Sequence, residues 1–217
     1  MAEPIILGVD TSGSYCSAAV LQGTDVLSDL YQDMPKGQAE ALFPLLTDML
    51  ARGGVTWRDL AAIGVGTGPG NFTGIRISVS AMRGLALALD ISVIGVTLLD
   101  AIAHATSGPV LASIAAPRGQ AYVQGVRTAQ SVPPALVAVS DLPLDLAEPG
   151  LVSIGSAGAE IAERLGVPHV PAPYAPGSAI ARIAALSWQN ECPPAAPFYL
   201  KPADAAPARD APPVLLD

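Results

Sequence analysis

The residues whose types and spacing could do chemistry fall in three short segments. The densest is Gly64-Val-Gly-Thr-Gly-Pro-Gly-Asn-Phe-Thr-Gly74. Glycine tolerates positive φ and lets another backbone or a ligand come close. Asn71 or Thr73 is placed to cap a following helix, whose free N–H groups would face an anion. No Gly-Lys-Ser/Thr follows, so this is not a Walker loop, and the spacing also misses the dinucleotide GxGxxG. The second segment is Asp10-Thr11-Ser12, a carboxylate with two hydroxyls of the kind that holds a hydrated Mg²⁺ and a phosphate. The same three residues also make an ordinary turn in which Asp and Ser satisfy local backbone N–H groups. The third, Ile154-Gly-Ser-Ala-Gly158, precedes a predicted helix and is a further anion nest. Each segment has a purely structural reading as a connection, and residue types alone leave both open.

Other chemistries find no residues. His104 and His169 are the only histidines, and HExxH and HxxxH are both missing, which argues against a zinc or iron hydrolase. No GxSxG nucleophile elbow occurs. Cys16 and Cys192 lie far apart, so neither a disulfide framework nor a thiolate zinc site is indicated. The expectation is a chain with no catalytic residue and no metal ligands.

The 217 residues are 51% apolar and 14% charged, with a net charge of −8. Alanine supplies much of the apolar total and only 5% of residues are aromatic, so the core must be aliphatic and closely spaced. Lys36 and Lys201 are the only lysines and the arginines are scattered. Nucleic-acid affinity rests on a basic footprint that contacts phosphates, so tRNA or any other nucleic acid is expected only through a partner. The opening Met1-Ala2-Glu3-Pro4 lacks a basic n-region, and the most apolar predicted helix carries Arg76 and Arg83. A cytoplasmic chain without a membrane span is expected.

Those segments have to be held by regular elements. Residues 5–10, 15–22 and 25–32 read as a meander of three strands. A helix follows over 38–51, then a strand over 61–66, a helix over 73–89, a strand over 91–96 and a helix over 98–106. The pattern then restarts, with strands at 109–115 and 120–126, a strand at 151–154, and helices over 156–165 and 178–189. Strands first and helices after, given twice, predict two related α/β lobes, residues 1–106 and 107–189. A proline-rich tail, 190–217, is expected to run extended over the surface or to be mobile.

Several of these residues resemble the bacterial TsaB (YeaZ) family. The family opens on a strand ending in Asp-Thr-Ser, here Leu7-Gly-Val-Asp-Thr-Ser12. It continues with a Gly-Pro-Gly-Ser-Phe-Thr-Gly-Leu-Arg-Ile block, here Gly68-Pro-Gly-Asn-Phe-Thr-Gly-Ile-Arg-Ile77. Late in the chain, Tyr199-Leu-Lys-Pro202 resembles its Tyr-Leu-Arg-Pro. Gln38-Ala-Glu-Ala-Leu-Phe-Pro44 looks like the helix opening in which the family often has His in place of Gln38. Gly84-Leu-Ala and Gly95-Val-Thr-Leu-Leu-Asp-Ala-Ile-Ala103 continue the match, which is nearly continuous over 5–105 and patchy afterwards.

The resemblance implies an actin/Hsp70/sugar-kinase-like (ribonuclease H-like) α/β fold with a reduced C-terminal lobe. It also implies a non-catalytic subunit in making N6-threonylcarbamoyladenosine on tRNAs that read codons beginning with A. The transferase TsaD would carry the chemistry and the ATPase TsaE would join the assembly. ATP and Mg²⁺ would then belong to the assembled complex, none being held stably by this chain. Asp10, Thr11, Ser12, Gly68, Pro69, Gly70, Thr73, Gly74 and Arg76 are the residues that would face a phosphate. A peptidase label attached to the wider family finds neither a nucleophile nor metal ligands here. The alternative is a small ATP-binding kinase or ATPase of the same fold, using Asp10 and the Gly68–Gly70 turn.

Helix 38–51 carries Ala41, Leu42, Phe43, Leu45, Leu46, Met49 and Leu50, more apolar surface than one sheet-facing stripe requires. Helix 73–89 carries two stripes: Ile75, Val79, Met82, Ala86 and Leu89, and Ile77, Ala81, Leu85 and Ala88. Leu42, Leu45, Leu46, Met49, Ile75, Val79 and Met82 are expected to dock on a partner helix pair, giving a homodimer alone and a heterodimer with TsaD.

Overall fold

The computed structural model describes residues 3–190 and 192–200. The first meander forms as its alternating apolar residues predict: β1 (Ile5–Asp10), β2 (Tyr15–Gln22) and β3 (Asp25–Asp33), paired antiparallel. Next come α1 (Gln38–Arg52), β4 (Leu60–Gly66), α2 (Phe72–Leu89), β5 (Ser92–Val96) and α3 (Leu98–Ala103). The second series is β6 (Val110–Ala116), β7 (Gln120–Val126), β8 (Ala135–Ala138), β9 (Val152–Gly155), α4 (Gly158–Leu165), β10 (His169–Val170) and α5 (Pro176–Ala185).

The two sheets repeat one another. The first has the order β3-β2-β1-β4-β5 and the second, read from its other edge, β8-β7-β6-β9-β10. In each, the first three strands are antiparallel neighbours and the last two add in parallel. The second copy is reduced. Where the first has α1 between its third and fourth strands, the second has only two 3₁₀ turns, Val139–Asp141 and Leu144–Leu146.

The division at 106/107 separates the two sheets, but the helices do not follow it. α3 packs on β6, β7 and β9 of the second sheet, whereas α5 packs on β1, β2 and β4 of the first. Both helices lie between the sheets, in one apolar cluster that joins Ile6, Leu21 and Ile94 to Val110, Ala112 and Ile154. The sequence range 107–189 is therefore not one self-contained lobe. The cause is close packing of small residues: a Cβ on Gly8 would strike the Gly177 carbonyl and lie 2.5 Å from the Ala181 nitrogen. Only glycine at that place in β1 lets the α5 backbone come so near.

α1 and α2 cover the outer face of the first sheet, with Leu42, Leu46, Met49, Leu50, Ile75, Val79 and Met82 in their own cluster. α4 covers the outer face of the second, with Ile161 and Leu165 against Leu111 and Val123. The layers thus run α1/α2, sheet, α3/α5, sheet, α4. α2 is long and apolar enough to cross a membrane by length and composition, at a mean hydropathy of 1.3. It packs by one face on β4 and β5 as a core helix.

Of the tail, residues 192–200 lie against the body of the chain. Phe198 N–H donates to the Thr67 carbonyl at 2.7 Å, and Ala195 is buried against Gly95. Residues 201–217, Lys201 and Pro202 included, lie outside the described residues.

Candidate functional site

Asp10 ends β1, where the first lobe meets the cleft between the sheets. The carboxylate is wholly buried. Its Oδ2 accepts from the Tyr15 hydroxyl at 2.6 Å and the Ser12 hydroxyl at 2.8 Å. Its Oδ1 has no partner and faces the Gly66 backbone, in the place a Cβ there would take. Burial pushes the carboxyl up from its ordinary value, and the hydroxyls of Tyr15 and Ser12 oppose that shift. The Tyr15 hydroxyl is in turn held well above its ordinary range, by burial first and by the Asp10 charge second.

The glycine-rich segment is folded against this turn. Thr11 Oγ1 donates to the Gly74 carbonyl at 2.7 Å, and Asn71 N–H donates to the Ser12 carbonyl at 2.6 Å. Any side chain at Gly70 or Gly74 would strike the Ser12 or Thr11 carbonyl. Asn71, not Thr73, caps α2, its Oδ1 accepting from Gly74 N–H at 2.8 Å. Gly68 has a φ of 96°, its carbonyl accepts from Leu98 N–H at 2.7 Å, and the Gly68–Pro69 peptide is cis. The glycines thus serve the close approach of one backbone to another.

Gln38 completes the arrangement, and sequence reasoning gave it no role. It is buried at the start of α1, and its amide donates to the Gly13 carbonyl at 2.8 Å and the Tyr15 carbonyl at 2.7 Å. An amide has two donor hydrogens and no charge, so it staples the 11–15 turn at any pH. Tyr15 was the second residue missed. Its aromatic side chain at a strand start carried no motif that could have pointed to it.

Arg76 does not reach this turn. It is exposed, its guanidinium lies 3.8 Å from the Phe72 ring centroid, and Nε donates to the Tyr199 hydroxyl at 2.9 Å. The third segment is also stitched to its neighbours. Ser156 Oγ accepts from Ala115 N–H at 2.9 Å, and Gly155, at a φ of 102°, sits against the Ser113 carbonyl.

Between the sheets opens a cleft of about 1220 Å³. Ser12, Tyr15 and Gly70 line it from the first lobe, Ser113, Tyr122 and Ser156 from the second. Among the described residues, no Lys, Arg, Asp or Glu lines it. The hydrated Mg²⁺ of a sugar-kinase-like site does not fit these groups. Such an ion keeps several waters and takes carboxylate oxygen with its ligand's phosphates. Here Asp10 is closed in by two hydroxyls and Gly66, and among the described residues the cleft wall offers a phosphate no lysine or arginine. No cluster of three His, Cys, Asp or Glu that could hold a metal occurs among the described residues.

Six of the seven expected docking residues are corrected by burial. Leu42, Leu46, Met49, Ile75, Val79 and Met82 are at most 2% exposed, packed on the chain's own first sheet. Only Leu45 is half-exposed. The other stripe, Ile77, Ala81, Gly84 and Ala88 at i, i+4, i+7 and i+11, is less covered: Ile77, Ala81 and the flanking Leu85 are half-buried against the same cluster, Gly84 and Ala88 are exposed, and Leu87 beside them is 85% exposed. A Cβ at Gly84 would meet nothing. On α1, Phe43 is 42% exposed and meets Trp57 edge-on.

A duplicated β-meander with parallel additions, two lobes and helices shared between them defines an actin-like, sugar-kinase-like α/β protein. The component A of (R)-2-hydroxyglutaryl-CoA dehydratase from Acidaminococcus fermentans shares this fold, with a TM-score of 0.55 at 9% identity over 86% of this chain and 98% of that one. A family model described as TsaD, tRNA N6-adenosine threonylcarbamoyltransferase, matches residues 34–175.

The chain belongs to the TsaB (YeaZ) family within that group. YeaZ from Pseudomonas aeruginosa superposes with a TM-score of 0.73 at 28% identity, covering 91% of this chain and all of that one. An uncharacterized protein of Mycobacterium tuberculosis is 33% identical over 93% of this chain and 94% of its own length. The tRNA threonylcarbamoyladenosine biosynthesis protein TsaB of Escherichia coli is 33% identical over 54% of this chain and 52% of its own. The chain thus aligns with about half of that named relative, and the named relatives place the family in threonylcarbamoyladenosine biosynthesis.

Proposed function

We propose that the chain is a non-catalytic subunit of the assembly that forms N6-threonylcarbamoyladenosine on tRNAs reading codons beginning with A. It binds and supports the transferase TsaD, with TsaE joining the same assembly, and it pairs with itself when alone. The observation that carries this reading is the internal satisfaction of the residues that would face a phosphate. Thr11, Ser12, Asn71 and Gly74 bond to one another or to Asp10, and Arg76 to Tyr199. A kinase or ATPase needs those groups turned toward its ligand, so the alternative loses its machinery. ATP and Mg²⁺ enter only with the other subunits, and a reducing cytoplasm suits the two free cysteines.

The outward stripe of α2 supports the docking half of the reading. A glycine in a helix interior costs about 0.5–1 kcal/mol relative to alanine, and at Gly84 no contact within the chain requires it. Ile77, Ala81, Gly84 and Ala88 leave a shallow apolar channel into which a partner helix can settle closely. The net charge of −8 keeps tRNA on another subunit. The test is reconstitution: the chain is added to or withheld from purified TsaD, TsaE, tRNA, ATP and threonylcarbamoyl-adenylate. Modification that needs the chain supports the proposal. Modification of equal rate and extent without it refutes the supporting role.

A further inference from the structure

Tyr15, Tyr31, Tyr122, Tyr174 and Tyr199 are all the tyrosines of the chain, and every one of them lines the cleft between the sheets. A chain with only 5% aromatic residues has thus placed most of them on one concave wall, while its cores are aliphatic. We propose that this cleft is a peptide groove and that its occupant is the chain's own proline-rich segment, residues 201–217, with 212–216 seated across Tyr31 and Tyr122. Three observations carry this.

First, the chain is delivered to the groove at Leu200. Phe198 N–H is bonded to the Thr67 carbonyl, and the Tyr199 ring packs on Phe72 with centroids 4.9 Å apart. Leu200 is half-buried against the apolar cluster between the sheets and lines the cleft itself. Residue 201 therefore starts on the groove wall. Second, wall and segment match in chemistry. Tyrosine offers a flat apolar face with a hydroxyl at its tip. A proline-rich segment has a preformed extended backbone whose carbonyls are free to accept, so aromatic-lined grooves take it at small entropic cost. Residues 201–217 contain Pro202, Pro207, Pro212 and Pro213, no glycine, and the uncharged stretch Ala-Pro-Pro-Val-Leu-Leu at 211–216.

Third, size and reach agree. The cleft, at about 1220 Å³, exceeds the ~300–1,000 Å³ of an ordinary small-molecule pocket. Residues 201–211 span up to about 34 Å at the rise of an extended proline-rich chain, enough to carry 212–216 across it. A segment tethered at the groove wall also has an effective concentration on the order of millimolar. That advantage favours it over the same sequence on a second copy, or a proline-rich segment of another protein.

The test compares the full chain with the full chain carrying Leu215→Asp and Leu216→Asp. Nitration by tetranitromethane, mapped by mass spectrometry, reads the exposure of Tyr31 and Tyr122. Both are expected to react at least about threefold faster in the double variant, because two carboxylates in an apolar groove expel the segment. A synthetic peptide of residues 201–217 is expected to bind the double variant at least about tenfold more tightly than wild type, whose own segment competes for the groove. Adding Tyr122→Ala is expected to weaken that peptide at least about fivefold, as loss of a central aromatic contact does. Should this variant lose its fold by circular dichroism, Tyr31→Ser, at a residue 54% exposed, takes its place. Equal nitration, or equal peptide affinity, in wild type and the double variant overturns the proposal. So does peptide binding that the folded tyrosine variant does not weaken. Wild-type protection lost on about hundredfold dilution overturns it too, because the segment then sits in a second copy.

Discussion

Replacing Gly84 separates the fold from the assembly, because the two respond with opposite sign. In the isolated chain Gly84→Gln only helps. The new Cβ meets nothing, and exchanging a mid-helix glycine for a good helix former gains about 0.5–1 kcal/mol. For a chain of this size each kcal/mol moves the melting temperature by about 2–4 °C, so a rise of roughly 1–4 °C is expected in dilute solution. In the assembly the same side chain fills the channel between Ala81 and Ala88. Forcing extra methylenes into a close-packed contact costs about 1–3 kcal/mol, which corresponds to roughly a 5–150-fold weaker Kd. Light scattering measures self-association, and titration against TsaD measures the heterodimer. A variant that melts higher yet associates with wild-type affinity in both assays would refute the assignment of this stripe as the docking face.

Further outcomes follow from the buried polar groups and the lobe junction. Gln38→Ala leaves the Gly13 and Tyr15 carbonyls without the amide and is expected to cost about 1–3 kcal/mol, read as a lower denaturant midpoint. Gly8→Ala forces a methyl into the α5 backbone and is expected to cost at least about 1–3 kcal/mol, seen as early thermal unfolding. Burial raises the Asp10 carboxyl above its ordinary 3.8. The folded chain therefore binds more protons than the unfolded one above that value, and stability falls as pH rises toward the folded value. Asp10→Asn is expected to flatten that part of the stability–pH curve, which urea titrations from pH 4 upward check.

Much of the fold was legible because its signals are local. The meander shows as alternation, α1 and α2 as helical spacing, and the repeat as the same order of elements met twice. Two strands were missed for opposite reasons of size and context. β8 is four half-buried residues, Ala135–Ala138, with no alternation to read. β10 is two residues whose strand character exists only through pairing with Ser153 and Ile154. Nor could periodicity say which apolar stripe of α2 faces the sheet. Both stripes recur at helical spacing, and only the packing of α2 on β4 and β5 buries Val79 fully and leaves Ala81 half-buried and Gly84 exposed. The site failed in an instructive way. Asp10, Thr11, Ser12, Gly70 and Gly74 do come together, as their types indicated, but their bonds run to each other rather than to a ligand. Residue type records the ability to donate and accept, not the partner.

The duplication bears on the proposed docking face, because the two lobes differ in what covers their outer sides. Each sheet buries its inner face against α3 and α5, so any partner must use an outer face. On the second sheet that face has only α4, whose apolar residues Ile161 and Leu165 are consumed by the sheet below it. On the first sheet two helices lie side by side, and α2 is apolar on both sides: Ile75, Val79, Met82 and Ala86 are at most 2% exposed, while the second stripe runs from half-buried Ile77 and Ala81 to exposed Gly84 and Ala88. Among the described residues, α1 and α2 are therefore the one helix pair on an outer sheet face. The net charge works in the same direction. A chain at −8 repels nucleic acid over roughly 8 Å at physiological salt, yet the α2 stripe contains no charged residue between Ile77 and Ala88 at its four positions. Under the proposed reading, an apolar channel is suited to a protein helix rather than to a phosphate backbone, although the charged residues within α2, Arg76 and Arg83, are basic.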